Sequence, residues 1–116
     1  MSTAESDAVQ SVENLIHALA DARAALRAAE TALRRALKKV EGGADVATAI
    51  VAAQPSETRN TINEALTAVE HSRHEARRMA FAVALDQGMS IGELARAWGF
   101  SRQLAARYAK EARAGE

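Results

Sequence analysis

The chain has 116 residues, with 15 basic and 15 acidic side chains, so its formal net charge is zero. This length accommodates one small domain with an extension and excludes a large multidomain enzyme. Hydrophobic residues make up 48% of the chain but aromatic residues only 3%, so close packing between alanine-rich helices has to supply most of the buried surface.

The first predicted element is a long helix over residues 8–41. Apolar residues recur there at alternating steps of three and four, a pattern that continues for about four heptads, and Gly42 and Gly43 end it. Such a seam is typical of helices that pair closely. We expect it to join two copies of the chain in a homodimer, with pairing inside one chain as the alternative. The predicted dimerisation residues are Val12, Leu15, Leu19, Leu26, Leu33 and Val40.

Two further helices are predicted over residues 45–53 and 56–87. Asp45 and Ser56 are suitable N-caps, and a proline precedes the second of them. The first and third helices would both exceed roughly 45 Å at about 1.5 Å per residue, so they can lie antiparallel as a coiled-coil-like hairpin. Residues 1–87 are therefore expected to form an all-α dimerisation region.

Basic residues are concentrated towards the C-terminus. Residues 73–113 contain eight basic and four acidic side chains, whereas residues 1–54 contain six basic and seven acidic ones. A net charge of zero ordinarily argues against nucleic-acid binding, but the distribution of charge matters more than its sum. The C-terminal segment is therefore suited to contact a polyanion.

Two short helices are predicted in this segment. Ser90 and Glu93 have the spacing of a capping box, which starts a helix that covers residues 91–98. Gly99 then provides a residue for a left-handed turn. Ser101 is a suitable N-cap for the second helix. A long helix would continue without these signals, so the break indicates that the two short helices cross.

The second short helix is predicted over residues 101–112. Two short helices joined by a glycine turn, after the end of a third helix, form the helix-turn-helix arrangement. Here the tri-helical unit covers residues 73–116 and shares the end of the third helix. The residues of the pattern are Leu94, Ala95, Gly99, Phe100, the run Ser101, Arg102 and Gln103, and Tyr108.

On these residues, the segment 89–113 resembles the small bacterial helix-turn-helix DNA-binding regulators. The chain departs from that family at Ala105, where the family has a branched apolar residue six positions after the glycine. The resemblance implies a small core that packs against the end of the third helix. The expected members of this core are Leu94, Ala95, Trp98, Gly99, Phe100 and Tyr108.

If Ala105, Tyr108 and Ala112 face the core, the opposite side of the second short helix is polar and basic. Arginine can make a bidentate contact to guanine and glutamine to adenine, each worth about 1–3 kcal/mol of discrimination. The remaining cations and the helix N-terminus suit phosphates. The predicted DNA-binding residues are Ser90, Ser101, Arg102, Gln103, Ala106, Arg107, Lys110 and Arg113.

These features predict a homodimeric transcriptional regulator that binds double-stranded DNA sequence-specifically, located in the cytoplasm and associated with the nucleoid. One alternative is a DNA-bridging protein of the nucleoid type. Another is a coiled-coil adaptor that contacts a different protein and does not bind DNA. The plainest alternative is that the two short helices only complete a helical bundle and expose a solvated basic face.

Signals for other chemistry are few. No cysteine is present, which excludes disulfides and cysteine-ligated zinc, and no nucleophile with a base or glycine-rich phosphate loop stands out. His71 and His74 are one helical turn apart, but two ligands do not make a metal site. We therefore expect no enzyme activity, catalytic residue, metal or cofactor. No apolar run of about eighteen residues and no signal segment occurs, so we expect no membrane contact.

Overall fold

The computed structural model describes residues 1–115, which form five α-helices and no strand. The all-α class is therefore as predicted. None of these helices combines the length and the apolar character that crossing a bilayer requires. The helices are α1 (Thr3–Glu41), α2 (Val46–Ala52), α3 (Pro55–Asp86), α4 (Ile91–Trp98) and α5 (Arg102–Ala114).

The helix ends follow local capping residues. The Asp45 carboxylate accepts a hydrogen bond from the Thr48 N–H at 3.2 Å and caps α2, as predicted. α1 begins at its third residue rather than near the eighth, because the Ser2 hydroxyl accepts a hydrogen bond from the Glu5 N–H at 3.1 Å. α3 begins one residue early, at Pro55, since the fixed φ of proline and its missing N–H suit the first helical position.

The chain divides into two compact units. The long-helix unit is Ile16–Glu70 and contains most of α1, all of α2 and the first half of α3. The C-terminal unit combines Met1–Leu15 with the chain from His71 onward, so it contains α4 and α5. Residues 1–15, the first part of α1, thus group with the C-terminal unit, and Ser11 among them is buried.

In the long-helix unit, α1 buries small side chains and exposes large ones. Its buried residues are Ala18, Ala22, Ala29 and Ala36. Of the predicted dimerisation residues in this unit, Leu19, Leu26 and Leu33 are exposed and Val40 is half-buried. In the C-terminal unit, Val12 is exposed and Leu15 is half-buried. Small side chains occupy the inner face because the distance between two packed helices depends on the size of the side chains at their contact.

An apolar groove of about 330 Å³ opens on the long-helix unit. All three helices of the unit contribute to it, which shows that α1 packs beside both α2 and α3. A second groove brings residues 19–30 of α1 together with Leu66 and Val69 of α3. The walls of the first groove include Ala29, Leu33 and Ala36 of α1, Ile50 of α2, and Pro55, Thr58 and Ile62 of α3.

Candidate nucleic-acid interface

The chain leaves α3 through Gly88, whose φ of 94° lies in the left-handed region. The Gly88 N–H donates to the Leu85 carbonyl at 3.1 Å, and the Met89 N–H donates to the Ala84 carbonyl at 3.0 Å. Glycine adopts this conformation without the steric cost that a Cβ atom brings. The last turn of α3 is therefore closed, and the chain is free to change direction before α4.

α4 begins with the predicted capping box. The Ser90 hydroxyl accepts a hydrogen bond from the Glu93 N–H at 3.1 Å, and the Glu93 carboxylate accepts one from the Ser90 N–H at 3.2 Å. These hydrogen bonds favour the charged carboxylate and hold the pKa of Glu93 below its ordinary value. Two N–H groups that the helix cannot pair internally are thus satisfied. The starting point of α4 is set by this local contact.

The turn between α4 and α5 depends on Gly99, which has φ 71° and ψ 28°. The N–H groups of Gly99 and Phe100 both donate to the Ala95 carbonyl, the latter at 2.9 Å. The Ser101 hydroxyl then accepts a hydrogen bond from the Leu104 N–H at 3.1 Å and caps α5. The glycine turn and the cap are as predicted, and α5 continues two residues beyond its predicted end.

A small hydrophobic core holds α4 and α5 in the C-terminal unit. Phe81 of α3 and Leu94 of α4 are completely buried, and Ala95 is 6% exposed. Phe100 and Tyr108 are half-buried and pack against this core. The side of α5 that faces inward consists of alanines, namely Ala105, Ala109 and Ala112.

Three positions differ from the expected core. Gly99 is exposed, because it forms the turn between α4 and α5. Trp98 is 40% exposed and its ring lies edge-on against Phe81, with the ring centroids 5.0 Å apart. Because α4 ends directly after it, Trp98 lies at the margin of the core. Ala109 is buried although the sequence analysis did not select it. It lies four residues after Ala105 and three before Ala112, a helical spacing that could have identified it.

The opposite face of α5 is polar and basic, and the structure brings the predicted residues of this helix together there. Arg102 and Gln103 lie in its first turn, and Ala106, which has a short side chain, follows one turn later. At the N-terminal ends of α4 and α5, Ser90 and Ser101 are exposed as well as capping. The exposed residues of the α5 face are Arg102, Gln103, Ala106, Arg107, Lys110 and Arg113.

A cation from α3 joins this surface. The guanidinium carbon of Arg77 lies 3.8 Å from the centre of the Tyr108 ring, and that of Arg107 lies 5.5 Å from it. The face of an aromatic ring attracts a guanidinium at such distances, so Tyr108 positions one arginine from each helix. Arg77 also lies 2.5 Å from Nδ1 of His74. Sequence reasoning missed Arg77 because spacing along one helix does not show which residue it meets on another.

Arg78, the next residue of α3, has a structural role. Its guanidinium pairs with the Glu75 carboxylate at 3.0 Å and lies against Gly115, just after α5. The hydrogen bond from Arg78 lowers the pKa of Glu75, and the same hydrogen bond raises the pKa of Arg78. A cation at the C-terminal end of a helix is stabilising because the free carbonyls there carry partial negative charge.

The pair His71 and His74 lies on exposed positions of α3. Among residues 1–115, no group of three or more histidine, cysteine, aspartate or glutamate side chains is arranged to hold a metal ion. No protein-family model, curated protein or solved structure matches this chain.

Proposed function

We propose that this chain binds double-stranded DNA sequence-specifically, as a transcriptional regulator. In this proposal α4, the Gly99 turn and α5 form a helix-turn-helix, and α5 enters the major groove. The observation that carries the proposal is the division of α5 into two faces. Buried alanines line one face, while exposed residues such as Arg102, Gln103 and Lys110 line the other. A basic face on a helix that is held from behind suits a recognition helix.

The exposed face of α5 offers both kinds of contact that such a role needs. Arg102 and Gln103 lie in the first turn, the part of a recognition helix that meets base edges, where arginine suits guanine and glutamine suits adenine. Ala106 allows close approach or contact with a thymine methyl group. Lys110 and Arg113 lie further along the helix and are assigned phosphate contacts.

Arg77 and Arg107 extend the same surface. Both guanidinium groups lie against the ring of Tyr108. A side chain that is already held in place loses less conformational entropy when it binds a ligand. We therefore assign these two arginines contacts to phosphates on the flank of the groove that α5 occupies.

The long helices serve, in this proposal, to join two copies. Residues 29–36 of α1 share a groove with the first turns of α3, whereas Leu19 and Leu26 share one with Leu66 and Val69. Rising numbers along α1 thus meet falling numbers along α3, which supports an antiparallel hairpin. The exposed leucines of α1 are then available to a second copy. A dimer would read two half-sites on DNA.

Fluorescence anisotropy of labelled DNA tests the proposal. A random-sequence duplex and DNA from upstream of the gene would be titrated at salt concentrations from about 50 to 200 mM, since phosphate contacts weaken steeply over this range. We expect tighter binding to the upstream fragment, with a shallower dependence on salt. Equal and salt-sensitive binding to both duplexes would favour the DNA-bridging role. Absence of binding at low salt would favour the protein-binding adaptor.

The variant that isolates the recognition face is Arg102→Ala combined with Arg107→Ala. Two lost contacts of about 1 kcal/mol or more each predict a roughly 30-fold or larger loss of affinity. The matched control is Arg27→Ala combined with Arg35→Ala, which removes the same charge from exposed positions of α1. If the first pair leaves DNA affinity unchanged while the helical content is retained, α5 is not the recognition helix.

A further inference from the structure

Within the long-helix unit, the exposed large apolar residues of α1 follow one side of the helix at steps of three, four or seven residues. We call the set Ile16, Leu19, Leu26, Leu33 and Leu37 the leucine stripe, and its members are 56%, 49%, 49%, 64% and 59% exposed. Scattered exposed leucines are ordinary on a protein surface, whereas apolar residues that repeat at heptad spacing are typical of helices that pair. The stripe lies beside the buried alanines on the helix circumference. Leu19, Leu26 and Leu33 border the grooves that α1 shares with α3, and about half or more of each side chain stays exposed.

Two charged residues complete the heptad spacing of the leucine stripe. Arg23 and Glu30 occupy the positions that the apolar residues leave out, so the steps from residue 16 to residue 37 alternate between three and four throughout. Charged residues at seam positions specify the orientation and the register of a coiled coil. Glu30 also pairs with Arg34 at 2.9 Å, but both side chains are largely exposed, and such surface pairs contribute little energy.

These two charges distinguish between the two ways in which a second copy can align. In a parallel, in-register pair, Arg23 would meet Arg23 and Glu30 would meet Glu30, which places like charges in the same layer. In an antiparallel pair, Arg23 lies in the same heptad layer as residue 26 or residue 33 of the second copy. Glu30 of the second copy is then about 4.5–6 Å away along the helix axis, within reach of an arginine side chain.

We propose that the leucine stripe is the docking surface for a second copy of this chain, aligned antiparallel, with Arg23 of each copy within reach of Glu30 of the other. The pairing itself does not depend on DNA binding.

Sedimentation equilibrium measures whether the stripe joins two copies. We expect the native chain to dimerise and Leu26→Glu to weaken the dimer on the order of a hundredfold, since each dimer loses two buried leucines. Because Leu26 is half-exposed, this change should leave the helical content intact. Ala28→Glu adds the same charge to the other side of α1 and should leave the dimer unchanged. A native chain that stays monomeric, or a dimer insensitive to Leu26→Glu, overturns the proposal and assigns the stripe to a different partner.

Crosslinking distinguishes the parallel from the antiparallel orientation. Because the chain has no native cysteine, only the introduced cysteines can react. A tagged Leu19→Cys chain and an untagged Leu33→Cys chain would be mixed and treated with a short bis-maleimide. Antiparallel pairing gives the mixed crosslink in preference to the two self-crosslinks, and a preference for self-crosslinks overturns the antiparallel orientation.

Exchanging the two charges of the leucine stripe is a second test. Arg23→Glu alone should weaken the dimer, and adding Glu30→Arg should restore it, whereas no restoration contradicts the proposed contact.

Measuring the DNA affinity of the same variants shows whether the docking surface or the proposed function fails. If Leu26→Glu dissociates the dimer while no variant binds DNA, the docking surface stands and the proposed function fails. If the native chain binds the upstream DNA as a monomer, the proposed DNA binding stands, whereas the docking surface and the joining of two copies fail.

Discussion

The two compact units of this chain fill their interiors with different side chains. The long-helix unit buries alanines along α1 and leaves its leucines exposed, whereas the C-terminal unit buries Phe81 and Leu94 completely. Burial contributes about 25 cal/mol for each Å² of apolar surface, so an alanine contributes far less than a phenylalanine. The C-terminal unit thus has a hydrophobic core of its own. The long-helix unit relies on close contact between helices and, in our proposal, on a second copy.

The largest expected contrast is between a buried and an exposed apolar side chain. Phe81→Ala should lower the free energy of unfolding by about 3–5 kcal/mol, because it leaves a cavity in the centre of the core. Leu33→Ala shortens a side chain that is 64% exposed. This variant should change the free energy of unfolding by less than about 1 kcal/mol. Urea unfolding followed by circular dichroism, at concentrations where the chain is monomeric, measures both. Similar losses for the two variants would contradict the contrast.

Enlarging a buried alanine tests how closely α1 approaches its neighbours. Ala18 is 7% exposed, so Ala18→Leu has to displace surrounding atoms and should lower the free energy of unfolding by about 1–3 kcal/mol. Ala24→Leu makes the same substitution at an exposed position of the same helix, and the two residue types have similar helix propensity. Thermal unfolding compares them. If both variants are as stable as the native chain, the alanine face is not tightly packed.

The glycines of α4 and its turn should respond to the same substitution with opposite signs. At Gly99 the left-handed φ of 71° makes alanine unfavourable, so Gly99→Ala should lower the free energy of unfolding by about 1–2 kcal/mol. At Gly92, inside α4, a new methyl group meets no atom closer than 3.6 Å. Gly92→Ala should therefore raise the free energy of unfolding by about 0.5–1 kcal/mol. Thermal unfolding measures both. A stabilising Gly99→Ala would show that this turn does not require the left-handed conformation.

The smallest expected effect is a loss of stability at low pH that comes from the capping box in the C-terminal unit. The pKa of Glu93 is lowered in the folded chain by its hydrogen bonds with Ser90. The charged carboxylate therefore contributes stability above the ordinary glutamate pKa of about 4.3. This contribution is lost as the pH falls through the lowered folded pKa. Glu93→Gln keeps a capping-box residue without a titrating group. Unfolding followed from pH 7 down to about pH 3 should therefore show a steeper loss for the native chain, and identical profiles would contradict the assignment.

Sequence reasoning succeeded where a single local contact decides the structure. Ser90 with Glu93, Gly99, and Ser101 each act within three or four residues, so their roles in capping and turning could be identified from spacing. The early start of α1 was missed for a similar local reason, because Ser2 caps a helix that begins five residues before the predicted start at residue 8. Capping and turn chemistry thus accounts for most of the helix boundaries.

Contacts between helices account for what sequence reasoning missed. Trp98 was expected in the core and lies at its margin, and Arg77 was not assigned but lies on the Tyr108 ring. Helical periodicity identifies which residues share a face of one helix. It does not give the rotation of that helix against its neighbour, and that rotation determines which rings meet and which arginine reaches them.

By itself, the sequence determined the all-α class, the order of the helices and the residues at which most of them end, because these depend on interactions within a few residues of chain. Only the tertiary structure decided that Ala22 and Ala29 lie inside while Leu26 and Leu33 lie outside. The heptad spacing is compatible with either choice. The choice depends on how closely two helices can approach, and this distance is a property of the pair rather than of either helix.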